Sequence, residues 1–149
     1  MPMGIQIEIP VRWGDMDALR HVNNTTYFQY CESARIAYFE KIGAVPGSGS
    51  TLGPSLVAAE LSFRRPVHYP ATLLVFATAI KIGRTSFTLD YDIREESMSA
   101  RMEESAAHGS SVVVWVDYST GKPVPLPPEL IDRIVELEKN PSLVDGKKN

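Results

Sequence analysis

The stretch WGDMDALRHVNNTTYFQYCE, Trp13 to Glu32, sets two aspartates, a histidine and two asparagines directly ahead of an aromatic-rich segment with helical spacing. Carboxylates and imidazoles serve as nucleophiles and as general acids and bases. If the segment behind them is a helix, its N-terminus adds free N–H groups that can polarise a carbonyl and hold a developing oxyanion. A carboxylate a few residues ahead of such donors can attack that carbonyl or activate water against it. The plainer reading is a helix cap. Asx residues favour N-caps and turns, and the macrodipole there stabilises an anion by about 0.3–1 kcal/mol. One cap takes one side chain, whereas Asp15, Asp17, His21, Asn23, Asn24, Thr25 and Thr26 are all polar. Residue chemistry by itself leaves acyl chemistry and a plain cap both open.

Other candidates are weaker. Cys31 sits on the apolar helical face and reads as a buried small residue, because a reactive thiol needs an accessible, electropositive setting. His68 and His108 stand alone in polar turns. His21 with Asp15 and Asp17 offers metal donors, but nothing else at ligand spacing completes a set, so no metal is expected. GSGSTLG superficially resembles a phosphate loop, yet it lacks the lysine and the preceding strand. No GxSxG, GxxxxGK[ST] or HExxH motif occurs.

The elements around the polar stretch follow from periodicity. Ile5, Ile7, Ile9, Val11 and Trp13 alternate with polar residues and Pro10, which predicts a strand at an edge or bulge. From Thr26 to Ile42, Tyr27, Tyr30, Cys31, Ala34, Tyr38 and Ile42 share a helical face, and Phe28, Ala37 and Phe39 widen it. Such a helix is expected to be buried on most sides. Gly43 marks its C-terminus. Val45 to Pro54 reads as a Gly/Ser/Pro-rich loop. Strands follow over Val57–Phe63, Leu73–Ile82 and Phe87–Ile93, with a hairpin turn at Gly83. The polar segment Glu95–Ser110 leads to a last strand through Val112–Tyr118. Pro128–Lys139 reads as a short amphipathic helix. One strand, one long helix and four more strands make an α+β layer arrangement. A helix apolar around its circumference asks for a strongly curved sheet around it, or for a second subunit over it.

The bulk numbers agree with a single globular domain over residues 1–140, with 141–149 a frayed tail. The chain has 149 residues, 44% hydrophobic and 22% charged, enough for a core without staples. A net charge of -3 offers no positive field for nucleic acid or an anionic membrane. One cysteine excludes an intrachain disulfide and a cysteine-built zinc site. No basic-then-apolar leader opens the sequence, and no run approaches the roughly 20 apolar residues of a membrane span. A cytoplasmic protein is expected.

At this point WGDMDALRHVNNTTYFQYCESARIAYFEKIG resembles the start of the hotdog-fold acyl-CoA thioesterases of the 4-hydroxybenzoyl-CoA thioesterase-like branch. The shared pattern is aromatic-Gly-Asp-x-Asp, then His-Val-Asn-Asn, then an aromatic-rich helix. LSFRRPVHYPATL, IKIGRTSFTLDYDI and VVVWVDYSTGKPVPLPPEL are similar to later strands and turns of that family. The resemblance implies a hotdog fold, a strongly curved antiparallel sheet wrapped around a long central helix. It also implies hydrolysis of an acyl-CoA or related thioester, with Asp17 as nucleophile or general base. The Asn24 backbone N–H falls where the carbonyl would be polarised. His21, Asn23 and Tyr27 match the pocket, Arg84 and Thr85 match a hairpin that contacts coenzyme A phosphates, and Asp15 matches a structural position. No cofactor is implied beyond coenzyme A as part of the substrate. Family members form homodimers or homotetramers, with active sites at the dimer interface. Two departures stand out: Tyr69 is followed by Pro70 and Ala71 where the family often has Gly-Asp, and Met98–His108 has no close counterpart. A hydratase or dehydratase on acyl thioesters, or a non-catalytic acyl-CoA binding module, would use the same scaffold.

Overall fold

The structure, a computed structural model, describes residues 3–45, 49–96 and 104–145. It is an antiparallel sheet with a long helix on one face. The elements in chain order are β1 (Ile5–Pro10), α1 (Asn24–Ile42), β2 (Leu52–Phe63), β3 (Thr72–Ile82), β4 (Ser86–Glu96), β5 (Ser105–Asp117), β6 (Lys122–Pro123), α2 (Pro128–Glu138) and α3 (Ser142–Asp145). The strands lie in the order β1-β3-β4-β5-β2, and β6 adds a short pairing to β5. β2 therefore crosses to the far side of the sheet and pairs with β5 instead of β3, its neighbour in sequence.

Alternation decides which side of each strand meets α1. Leu89, Tyr91 and Ile93 of β4 point into the core, with Phe87, each at most 1% exposed. Thr88, Asp90 and Asp92 face the other way. β3 is buried on both faces from Leu73 to Ala77, as an interior strand between β1 and β4 should be. Register shifts at Leu56/Ala58, Ala79/Lys81 and Ile93/Arg94 insert bulges, the device that bends a sheet and raises its twist. α1 fills the inner face with Tyr27, Tyr30, Cys31, Ala34, Tyr38 and Ile42. It ends in a left-handed Gly43 whose N–H returns to the Glu40 carbonyl.

Several boundaries differ from the sequence expectation: β1 ends at Pro10, short of Trp13, which opens a 3-10 turn, and α1 starts at Asn24, two residues before Thr26. β2 begins at Leu52, inside the stretch read as loop, and β5 begins at Ser105, seven residues before Val112. Both carry residues of low strand propensity that the packing requires. Gly53 lies under Tyr118, whose hydroxyl donates to the Pro54 carbonyl at 2.8 Å, and a Cβ there would meet that hydroxyl. Gly109 lets the β2 backbone approach, since a Cβ on it would fall on the Glu60 carbonyl. Residues 47–48 of the phosphate-loop lookalike and 98–103 of the segment without a family counterpart lie outside the described residues. In the C-terminal segment expected to fray, Ser142–Asp145 makes one further helical turn and buries Leu143; 146–149 lie outside the described residues.

Burial on α1 is not all-round within one chain. Phe28 and Ile36 remain 40% and 37% exposed. The sheet edge beside them is open too: Leu56, Val57 and Phe63 of β2 are exposed.

Candidate active site at the mouth of the long helix

The segment between β1 and α1 folds as two consecutive tight turns, each built on an aspartate. In the first, a 3-10 turn at Trp13–Asp15 sends Asp15 inward to 5% exposure. Its Oδ2 accepts the Arg12 N–H at 3.0 Å and the Tyr30 hydroxyl at 2.7 Å, while Oδ1 accepts the Arg12 guanidinium at 3.1–3.2 Å. Burial pushes this carboxyl upward, but the hydrogen bonds from Arg12 and Tyr30 outweigh it and hold it below the ordinary value. The Asp15 carbonyl also accepts the Asn23 N–H at 3.0 Å. Asp15 thus ties the loop to the helix, and its carboxylate is fully engaged.

Asp17 has the opposite surroundings. Its N–H donates to the His21 carbonyl at 3.2 Å, its carbonyl accepts the Arg20 N–H at 2.9 Å, and Oδ1 accepts the Leu19 N–H at 2.9 Å. The turn closes through a left-handed Arg20 (φ 65°) and a bridge between Met16 and Val22. Among the described residues, Oδ2 of Asp17 takes no hydrogen bond. The half-buried carboxylate is fixed by one oxygen and presents the other.

Asn23 is the N-cap of α1, its side-chain oxygen accepting the Thr25 N–H at 2.9 Å. The Thr26 N–H goes to the Asn23 carbonyl. The Asn24 N–H, first in the helix, has no acceptor among the described residues. A cleft of about 250 Å³ opens beside it, lined by His21, Asn24, Tyr27, Phe63, Arg64 and Arg65 among others. Asp17 does not line this cleft directly; it is held one hydrogen-bonded turn away, through His21, which does. Tyr27 is buried to 2% exposure and its ring meets Phe63 at 5.4 Å between centroids.

Asp17, His21, Asn23, Asn24 and Tyr27 therefore come together. Arg84 and Thr85 do not. They sit in the β3–β4 turn, and the 11 residues of β3 separate that turn from the β1–α1 loop by roughly 33 Å. Arg65 forms an ion pair with Glu95 at 3.2 Å, and Arg64 is exposed at the cleft. Burial pushes the Cys31 thiol up to about 12, which fits a packing role. Among the described residues, no three His, Cys, Asp or Glu side chains are grouped to hold a metal ion, and no helix is long and apolar enough to cross a membrane.

Sequence reasoning left His68 alone, and the structure corrects this. The His68 Nδ1–H donates to the Arg20 carbonyl at 2.8 Å, and the ring meets that of His21 edge-on at 6.2 Å. A carbonyl only accepts, so the proton must sit on Nδ1. His68 braces the left-handed residue that closes the Asp17 turn. No local signal gives this away, because the contact spans 48 residues. His108 likewise has a partner, Asp90 at 3.2 Å, on the sheet face away from α1. A larger concavity, about 720 Å³, lies on that face and shares Arg64 and Arg65 with the helix-mouth cleft.

Residues 11–134 match the family model of the thioesterase-like superfamily. The chain belongs to that superfamily. The matched span of this thioesterase-like chain runs from the end of β1 through most of α2, so it takes in both turns, the helix and every long strand after it. Among solved structures, the PA2801 protein of Pseudomonas aeruginosa is 34% identical, with a TM-score of 0.79 over 89% of this chain and 98% of that one. A thioesterase from Thermus thermophilus, crystallised with coenzyme A and zinc, is 30% identical, with a TM-score of 0.79 over 93% and 97% of the two chains. An uncharacterized protein of Bacillus subtilis, YsmA, is 29% identical over 119 residues, covering 78% of this chain and 76% of its own. The hotdog architecture and thioesterase membership are thus shown from both sequence and fold.

Proposed function

We propose that this thioesterase-like protein hydrolyses an acyl-CoA thioester to a free acid and coenzyme A, with Asp17 as the reacting carboxylate. The reading is supported by two unspent groups on the segment that enters α1: Oδ2 of Asp17, one hydrogen-bonded turn from the cleft through His21, and the N–H of Asn24, which lines it. The N–H, reinforced by the helix dipole, holds the carbonyl oxygen and the negative charge that grows on it. Asp17 then either attacks the carbonyl carbon, giving an acyl anhydride that water cleaves, or takes a proton from the water that attacks. Either way the C–S bond breaks, the sulfur leaves with a proton, and the acyl carbon gains a water oxygen. Asn23 caps the helix that supplies the donor, and His21 and Tyr27 shape the wall beside it. Coenzyme A as the thiol is supported by the Thermus relative crystallised with it.

Arg84 and Thr85 enter this scheme through a second copy. β2 is an open edge with exposed Leu56, Val57 and Phe63, and the neighbouring Phe28 and Ile36 of α1 are uncovered. Pairing of two β2 edges covers this surface and forms a homodimer, which doubles to a homotetramer. The partner's hairpin then supplies the phosphate contacts at the cleft, for which an arginine is well suited. The test of the reaction class is thiol release. Free coenzyme A appearing from saturated and enoyl thioesters alike supports hydrolysis; loss of the enoyl absorbance without thiol overturns it in favour of hydration, and saturable binding without turnover overturns it in favour of a binding module.

A further inference from the structure

A guanidinium lies buried in the apolar layer between α1 and β2 without a carboxylate to meet it. Arg35 is 8% exposed. Its one side-chain hydrogen bond goes from Nη1 to the Tyr91 hydroxyl at 3.2 Å, and that hydroxyl is paired with Ser111 Oγ at 2.6 Å. Among the described residues, no Asp or Glu oxygen comes within ion-pair distance of it. Among the described residues one neutral oxygen is the protein acceptor its N–H donors meet, where burying such a charge ordinarily demands a paired anion, and its other nitrogens are not sealed from the cavity it lines.

The guanidinium lines a cavity of about 190 Å³ whose apolar walls include Phe28, Cys31, Leu56, Ala59 and Leu61. Glu32 and Glu60 also line it, but both are exposed and belong to its solvent rim. The cavity adjoins the cleft at the helix mouth through Phe63, whose ring touches Tyr27 of the cleft at 5.4 Å and Phe28 of the cavity at 6.5 Å. From Asn24 to Arg35 the helix rises about 16 Å, and an arginine side chain leans back toward the helix N-terminus, which shortens the path. A medium-length acyl chain whose thioester carbonyl sits at Asn24 would bring its far end to Arg35.

We propose that Arg35, backed by Tyr91 and Ser111, is a specificity-determining residue that receives a terminal carboxylate on a medium-chain acyl group, making ω-carboxyacyl thioesters the preferred substrate class. The inference rests on the thioesterase reading for its carbonyl end, and on the buried guanidinium alone for its far end. An anion there converts one weak neutral contact into a charge-assisted, bidentate one. An alkyl end of equal length would leave the guanidinium unanswered.

The test pairs octanedioyl-CoA, as its monothioester, with octanoyl-CoA, on wild type, Arg35→Lys and Arg35→Met. Wild type should favour the dioyl substrate in kcat/KM by about ten- to a hundredfold, the factor carried by a hydrogen bond to a charged group. Arg35→Met should lose that preference, read as the ratio of the two kcat/KM values within the variant, and Arg35→Lys should keep part of it. Equal wild-type rates on both substrates overturn the proposal and leave the hydrolase reading intact. So does a preference that survives Arg35→Met. Dissociation of the oligomer by Arg35→Met with an unchanged ratio also overturns it, because the guanidinium then serves a carboxylate of a second copy. Where neither substrate is hydrolysed, binding of the non-hydrolysable thioether analogues separates the two ideas. Tighter, Arg35-dependent binding of the dioyl analogue keeps the site and drops the hydrolase; equal binding drops the site as well.

Discussion

Asp15 and Asp17 are two residues apart and chemically alike, and their surroundings give them different work. Asp15 spends both oxygens on Arg12 and Tyr30, while Asp17 keeps one free. Asp15→Asn should cost about 2 kcal/mol, the order of one or two hydrogen bonds to a charged group, with part of the exposed Arg12 pairing discounted for solvent screening. That corresponds to roughly 5 °C in Tm for a chain of this size, read by calorimetry. Because the folded carboxyl is held below its ordinary 3.8, its contribution is complete above that value and is lost as pH falls through the lower folded one. The Tm gap between wild type and Asp15→Asn should therefore stay constant at neutral pH and close below about pH 4. His68 acts on Asp17 at one remove. His68→Phe should lower kcat by about three- to tenfold, the worth of one hydrogen bond, with KM little changed. His68→Asn, whose amide can still donate to the Arg20 carbonyl, should recover most of it. Equal losses in both variants would contradict the bracing role.

Among the elements, α1 was the most legible in sequence, because Asn23, Gly43 and the intervening aromatic periodicity each mark a boundary or a face by local chemistry. Asp17 and Asn24 were singled out through the family resemblance, since local chemistry alone left a cap and an acyl site both open; the structure sets the first in a tight turn and the second just after the helix cap. β2 and β5 were harder. Gly53, Pro54, Ala106 and Gly109 answer to neighbours across the sheet, and no local rule reports a tyrosine or a carbonyl overhead. The contacts of Arg35 and His68 were invisible in sequence, since they reach Tyr91 and Arg20, 56 and 48 residues away. α2 shows a similar long-range dependence. Its last residue, Glu138, is 3% exposed and accepts the Tyr38 hydroxyl at 2.6 Å and the Ala79 N–H at 2.8 Å. That N–H borders the bulge in β3, so the side chain completes the interrupted ladder. Glu138→Ala should cost about 2–4 kcal/mol by leaving buried donors unpaired, seen as a lower urea midpoint with unchanged slope. Burial raises the Glu138 carboxyl, although the two donors pull it back down in part. A raised acid stabilises most below its unfolded value and loses that contribution as pH rises through the folded one. Wild type should thus gain stability relative to Glu138→Ala as pH falls toward the ordinary carboxyl value of 4.5.

At the scale of the whole molecule, the proposed carbonyl end of the site lies within one chain, and the residues proposed for its other parts lie apart from it. The β3–β4 turn with Arg84 and Thr85 is a strand's length from Asn24, and the β2 edge is open beside exposed Phe28 and Phe63. Wild type should therefore run as a dimer or tetramer in light scattering. Val57→Lys, which sets a charge on the exposed edge, should shift it toward monomer and lower turnover by at least about tenfold. A monomeric wild type with full activity would contradict the shared site. The proposed reaction turns on Asp17. The most direct measurement is thiol release from short, long, aromatic and ω-carboxyl acyl-CoAs by wild type and Asp17→Asn, with Tm recorded for both. We expect release by wild type, a loss of at least about a hundredfold in Asp17→Asn as for removal of a positioned acid–base group, and melting temperatures within a few degrees. Equal release by both proteins would contradict it and move the chemistry away from the helix mouth.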